Sequence, residues 1–105
     1  MLEKEIERRL VKLVGERGGL AYKFVSPANP GAPDRIIITP AGVVWFVELK
    51  TEHGSSRKIQ KWQAQQLVSV GANFRELKGW EAAKNFVEEI MPYDIHATPV
   101  PKILR

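Results

Sequence analysis

Residues 31–50 read GAPDRIIITPAGVVWFVELK, two apolar segments joined by a short turn. Residues 35–39 are rich in β-branched side chains, and residues 43–50 open with five apolar side chains and close with charged ones. The Pro-Ala-Gly sequence at residues 40–42 predicts a tight turn between them. We therefore expect a β-hairpin whose second strand is central in a sheet and covered on both faces.

The segments on either side of this hairpin show helical or extended patterns. Apolar residues recur at helical spacing near the N-terminus, and two glycines end that segment. Ser55 or Ser56 is placed to cap a helix after the hairpin. The sequence thus predicts helices at residues 2–15, 57–70 and 79–90 and strands at residues 20–25, 35–39, 43–50 and 73–77.

The order α-β-β-β-α-β-α predicts an α/β fold, with a mixed central sheet flanked by helices. We place this domain at residues 1–91 and a proline-rich C-terminal tail at residues 92–105. The chain has 105 residues, a size that fits one domain, and its 44% hydrophobic and 27% charged residues are typical of globular proteins.

Composition also limits the classes of function. The chain has no cysteine, so it can form neither a disulfide framework nor a thiolate zinc site. The opening MLEKEIERRL is too charged for a secretory signal, and we expect a soluble, intracellular protein. A formal charge of +4 favours a polyanionic partner without identifying it. His53 and His96 are isolated from each other, which argues against a histidine metal site.

Residues suited to metal binding and catalysis lie at the open end of this hairpin. Asp34 stands at the start of one strand, and Glu48-Leu49-Lys50 closes the next. Because side chains alternate along a strand, Glu48 and Lys50 share a face, and hairpin pairing brings Asp34 towards them. Two carboxylates and a backbone carbonyl suit a hard cation such as Mg²⁺, and a lysine beside it would stabilise charge on a phosphate. A strand ending in acid-x-base is alone a weak signal, but this combination is much rarer.

Residues 31–35 (GAPDR), residues 46–50 (FVELK) and Gln60 together resemble the signature of the VRR-NUC nucleases of the PD-(D/E)XK superfamily. The resemblance runs from the first helix to about Leu77 and implies a restriction-endonuclease-like core. It also implies a nuclease that uses Mg²⁺ or Mn²⁺. By position, the resemblance makes Asp34, Glu48 and the Leu49 carbonyl metal ligands, Lys50 the catalytic lysine and Gln60 the family's helix glutamine.

The family also has a glutamate on the first helix, for which Glu3, Glu5 and Glu7 compete. At about 100° per residue, Glu3 falls within the apolar sector of that helix, whereas Glu5 lies on the opposite flank. Glu3 is therefore the first choice for this metal ligand and Glu7 the second. By the same resemblance, Lys23 and Ser26 are candidates for contact with DNA near the scissile phosphate, and Arg35 is a further candidate DNA-binding residue.

Standalone members of the family resemble Holliday junction resolvases, so we expect an endonuclease acting on branched DNA. A flap- or nick-specific nuclease and a catalytically silent nucleic-acid-binding module are the alternatives. Paired incision of a four-way junction predicts a homodimer, with its interface on the last helix around Trp80 and Phe86 or on the tail. The three tryptophans favour core or interface positions over base stacking. Gln63 and Gln66 depart from the family pattern, because they share a helix face with Ile59 and Val70.

Overall fold

The computed structural model describes residues 1–92, so nearly all of the predicted tail lies outside the described residues. The element order is the predicted α-β-β-β-α-β-α. The elements are α1 (Glu3–Glu16), β1 (Leu20–Lys23), β2 (Arg35–Ile38), β3 (Val44–Lys50), α2 (Lys58–Ser69), β4 (Asn73–Lys78) and α3 (Gly79–Ile90).

The four strands form one mixed sheet in the order β1-β2-β3-β4. The first three strands are antiparallel neighbours, and β4 adds to β3 in parallel. The parallel pairing is possible because α2 carries the chain back across the sheet between these two strands. The predicted hairpin is confirmed, with Arg35 opposite Val47.

The core lies between the sheet and the layer formed by α1 and α3. Along β3, Val47 and Leu49 point into this layer and are 0% and 1% exposed. From α1, Ile6, Leu10 and Val14 lie at helical spacing and face the same layer, and all three are fully buried. Truncating such a side chain to alanine costs about 2–5 kcal/mol. The buried apolar residues are Ile6, Leu10, Val14, Ile37, Val47, Leu49, Leu77, Ala83, Phe86, Val87 and Met91.

The opposite face of the sheet is covered only in part, because α2 packs mainly against β4 and contributes no fully buried residue. Val44 at the start of β3 is 40% exposed, so the prediction that this strand is covered on both faces is wrong for its first residues. Tyr22 on the edge strand β1 is 55% exposed, and the expected half-buried pattern of that strand is weak. Both differences have one cause, since α2 packs mainly against β4 at the far edge of the sheet from β1.

Helix α2 also begins differently from the sequence expectation. Its N-cap is Arg57, and the prediction of a serine cap is wrong. The Ser56 hydroxyl instead donates to Glu76 Oε1 at 2.7 Å, which turns it towards the sheet. Gln60 replaces the serine, because its Oε1 accepts the Arg57 backbone N–H at 2.9 Å. Within residues 1–92, no helix has both the length and the apolar character needed to cross a bilayer.

Candidate active site

Two carboxyl groups lie side by side where β2 begins and β3 ends. Since Arg35 pairs with Val47, the preceding Asp34 lies next to Glu48 on the neighbouring strand. Alternation of side chains directs both carboxyls to the face that α2 covers, opposite the core. Glu48 is 4% exposed and Asp34 is half-buried. The structure therefore brings together the two acids that the sequence predicted as a pair.

Burial makes both carboxyls harder to ionise. Burial, followed by the negative charge of Asp34, raises the pKa of Glu48 to about 7, although the nearby Lys50 lowers it. Burial is also the main cause that raises the pKa of Asp34. Interactions with the Glu48 carboxyl and the Leu49 backbone lower this pKa in part. The pair therefore holds a proton more readily than two separate, solvent-exposed carboxyls would.

The donor set fits a hard divalent cation. Asp34 Oδ1 is buried and has no hydrogen-bond partner within residues 1–92. An unpartnered buried oxygen is costly, and a cation between Asp34 and Glu48 would satisfy it and offset the repulsion between the two charges. Next to these oxygen donors, the Leu49 backbone N–H lowers the pKa of the Asp34 carboxyl. Oxygen ligands of this kind suit Mg²⁺ or Mn²⁺.

Lys50 is half-buried at the end of β3, two residues after Glu48 and on the same face of the sheet. Its positive charge acts on the Glu48 carboxyl, which places its ammonium in electrostatic range of the acid pair. A cation here can stabilise negative charge that develops on a phosphate.

Gln60 connects α2 to the acid pair. Its Nε2 donates to Glu48 Oε1 at 2.7 Å, while its Oε1 accepts the Arg57 N–H. Because a backbone N–H can only donate, this second bond determines which end of the amide faces Glu48. The predicted helix glutamine thus orients Glu48 through a defined hydrogen bond.

The three candidate glutamates of α1 have different partners. Glu7 forms an ion pair with Arg35, and Glu5 lies 3.5 Å from Arg9. Glu3 is exposed, and its charge raises the pKa of both Asp34 and Glu48. No three acidic or histidine side chains within residues 1–92 converge closely enough to form a ready metal cluster. Glu3 therefore lies in electrostatic range of the pair but outside its immediate contacts.

The three predicted DNA-binding residues differ in their exposure and in their partners. Arg35 is 7% exposed and forms an ion pair with Glu7, which links α1 to β2. Ser26 is half-buried, and its Oγ accepts a hydrogen bond from Asn29 at 2.9 Å. Lys23 is exposed at the end of the edge strand.

Glu76 is a residue of this site that the sequence did not reveal. It pairs in register with Glu48 in the parallel neighbour β4, and it borders a cleft of about 200 Å³ between α2 and the sheet. Only the register of β4 places it there. The cleft is lined by Gly31, Pro33, Glu48, Ser56, Gln60, Lys61, Ala64, Gln65, Phe74 and Glu76.

The predicted dimer contacts on α3 belong to the core of the monomer instead. Phe86 is 2% exposed and packs edge-on against Trp45, with ring centroids 5.0 Å apart. Trp80 is half-buried beneath the guanidinium of Arg9. Trp62 differs from these tryptophans, because half of its side chain is exposed.

The unexplained glutamines of α2 reflect the shallow packing of this helix. Gln63 Nε2 donates to the Pro30 carbonyl at 3.2 Å, and Gln66 is exposed. Helix α2 is therefore less buried than the spacing of its apolar residues predicted.

A mixed sheet between helices, with an Asp-Glu pair and a lysine at adjoining strand ends, defines the restriction-endonuclease-like fold of the PD-(D/E)XK nucleases. A solved structure described as a VRR_NUC domain superposes with a TM-score of 0.76 at 28% identity, covering 82% of this chain and 94% of that one. A relative from Acyrthosiphon pisum secondary endosymbiont phage 1, described as "Putative nuclease p44", is 41% identical over 69 residues, 66% of this chain and 74% of the relative. No protein-family model matches the sequence. The chain belongs to the VRR-NUC family of nucleases.

Proposed function

We propose that this protein is a divalent-metal-dependent DNA endonuclease that hydrolyses phosphodiester bonds in branched DNA, with the four-way junction as its main substrate. The observation that carries the proposal is the buried pair Asp34–Glu48, with an unpartnered Asp34 oxygen and Lys50 on the same face. Membership of a nuclease family supports the reaction class, and the phage relative is itself described as a nuclease.

Each residue has a task that follows from its position. Asp34, Glu48 and the Leu49 carbonyl would hold the cation, and Glu3 adds negative charge from α1. Gln60 keeps the Glu48 carboxyl turned towards the site. When bound, Mg²⁺ or Mn²⁺ supplies Lewis-acid stabilisation of the phosphate and lowers the pKa of an attacking water.

Lys50 supplies positive charge that does not depend on the metal. Its ammonium can stabilise the developing charge on the phosphate during in-line displacement. Lys23 and Ser26 remain candidates for contact with the DNA backbone near the cut.

Substrate choice is expected to depend on the shape and backbone of DNA more than on base edges. The described residues form a single sheet with three helices, and the site lies on the sparsely covered face of that sheet. Backbone contacts position a protein on DNA but carry no sequence information directly. We further propose an intracellular protein that acts as a homodimer, since two symmetric cuts in a junction require two sites.

A substrate panel tests the proposal. We expect cleavage of labelled four-way DNA in the presence of Mg²⁺ or Mn²⁺, no cleavage with EDTA, and slower cleavage of linear duplex. Preferred cleavage of flaps or nicks would move the function to the flap-nuclease alternative. No cleavage of any substrate, together with retained DNA binding, would identify a silent binding module.

A further inference from the structure

The positive charge of the described residues is concentrated on one element. Residues 54–74 contain three cations and no aspartate or glutamate, whereas the remaining described residues carry eleven basic and eleven acidic side chains. The formal excess of residues 1–92 therefore resides in α2 and the turn before it. The three cations are Arg57, Lys58 and Lys61.

These cations are free to meet an external anion. All three are exposed, and none has an ion pair with any other described residue. By contrast, Arg9, Arg35 and Arg75 are each paired with a glutamate of the same domain. Solvated lysines are common on protein surfaces, so charge alone does not identify a docking surface.

A large aromatic side chain lies among these cations. A shared, exposed face of α2 carries Lys58, Lys61, Trp62 and Gln65, which are three or four positions apart. Trp62 is 51% exposed, an unusual placement for a tryptophan in a domain whose other two are at least half-buried. We call these four residues the α2 face.

The α2 face adjoins the candidate active site. Lys61 and Gln65 line the same cleft as Glu48 and Gln60. A strand that follows the α2 face would therefore run along the cleft that Glu48 lines.

We propose that the α2 face is a docking surface for DNA, in which Lys58 and Lys61 bind phosphates and Trp62 stacks against an unpaired base at the branch point. This inference rests on the proposed function and names the part of the substrate that the nuclease recognises. Exposed aromatic rings among cations bind single-stranded nucleic acid by stacking and backbone contact. A second copy of the chain is the less suitable occupant, because pairing two α2 faces would oppose like charges.

The phosphate contacts are tested by the salt dependence of binding. Affinity for a labelled four-way junction is measured without divalent ions, across a range of salt concentrations. The double variant Lys58→Gln/Lys61→Gln should lower the slope of log Kd against log salt by about two, since each phosphate contact contributes about 0.9. The control Lys12→Gln/Lys84→Gln removes the same charge from exposed positions on α1 and α3 and should leave the slope unchanged. Equal slopes in the two double variants would overturn the proposal.

The stacking contact is tested by comparing substrates. Trp62→Ala should weaken binding to a junction with unpaired nucleotides by about five-fold or more and leave binding to linear duplex unchanged. Trp62→Phe should recover most of the loss. Because Trp62 is exposed, both variants should unfold at the temperature of the wild type, which scanning calorimetry checks.

Two outcomes would refute the role of Trp62. One is an equal loss of affinity for junction and duplex. The other is a change from dimer to monomer on sedimentation of Trp62→Ala, which would assign the face to a protein partner. The proposal is separable from nuclease activity, because binding is measured without cleavage. If the protein cuts junctions but the two double lysine variants have the same salt dependence, the proposed function stands and the proposed docking surface is wrong.

Discussion

Asp34 and Glu48 must be ionised to hold a cation, yet burial favours their protonated forms. This conflict predicts an unusual dependence of stability on pH for the metal-free protein. Between about pH 4.5 and pH 7, folded Glu48 keeps its proton while the unfolded chain has lost it. Raising the pH through this window therefore favours the unfolded chain, by up to about 1.4 kcal/mol per pH unit for this one group. Urea unfolding at several pH values in EDTA measures the slope.

The control for this prediction is Glu48→Gln, which replaces the titrating carboxyl with a neutral amide. It should flatten the decline and increase stability above pH 7. Added Mg²⁺ should stabilise the wild type at pH 8 and have little effect on Glu48→Gln, because the amide is a poorer ligand. A wild type whose stability rises over the same pH range would contradict the raised pKa of Glu48.

Lys50 offers a second test at the residue scale, with a matched control on the adjoining strand. Lys50→Ala should lower kcat by about 100-fold or more, because it removes a positive charge that serves the transition state. Lys78 pairs in register with Lys50 but is exposed at the end of β4, so Lys78→Ala should keep most activity.

Asp34→Asn should abolish cleavage while leaving DNA affinity nearly intact. Turnover in Asp34→Asn, or equal losses in the two lysine variants, would remove these residues from the site.

At the scale of elements, the loop before Asp34 and the first turn of α2 are in close contact. Gly31 has a φ of +82°, and a Cβ there would lie 2.8 Å from the backbone carbon of Ile59. Gly31→Ala should therefore displace α2 and weaken the hydrogen bond from Gln60 to Glu48. The expected results are a destabilisation of about 2–4 kcal/mol and a loss of cleavage.

Gly42 provides the comparison, since its φ is +86° but a Cβ there would meet nothing within 4 Å. Gly42→Ala should cost only the backbone strain, about 1–2 kcal/mol, and leave cleavage unchanged. Urea unfolding and a junction-cleavage assay on both variants separate strain from displacement of α2. Similar activities in the two variants would show that contact between loop and helix is unimportant for the site.

The elements themselves could be predicted from sequence because their patterns are local. The periodicity of residues 2–15 and the β-branched segment at residues 35–39 gave helices and strands within two residues of the observed ends. The neighbourhood of Asp34 and Glu48 also followed, since a tight turn sets the register of a hairpin.

The parts that sequence did not reveal depend on contacts between distant elements. Glu76 reaches the site through the parallel register of β4, which no turn encodes. Arg35 was predicted from its position to contact DNA, and its ion pair with Glu7 of α1 could not be predicted from local patterns. Ser56 looked like a helix cap, but its hydroxyl donates to Glu76 across the sheet. In each case, the observed contact joins elements that are distant in sequence, and local sequence patterns do not predict such contacts.

For the whole molecule, the proposed resolution of a four-way junction needs two cuts, one in each of two strands. The described chain carries one acid pair, so paired incision of a junction requires two subunits, each cutting one strand. A mixture of wild type with excess Asp34→Asn subunits tests this directly on a plasmid cruciform. Mixed dimers hold one competent site and should release nicked circles, whereas wild-type dimers should release linear DNA. If the products instead change only in amount and stay linear, one subunit makes both cuts, and the homodimer is not the active species.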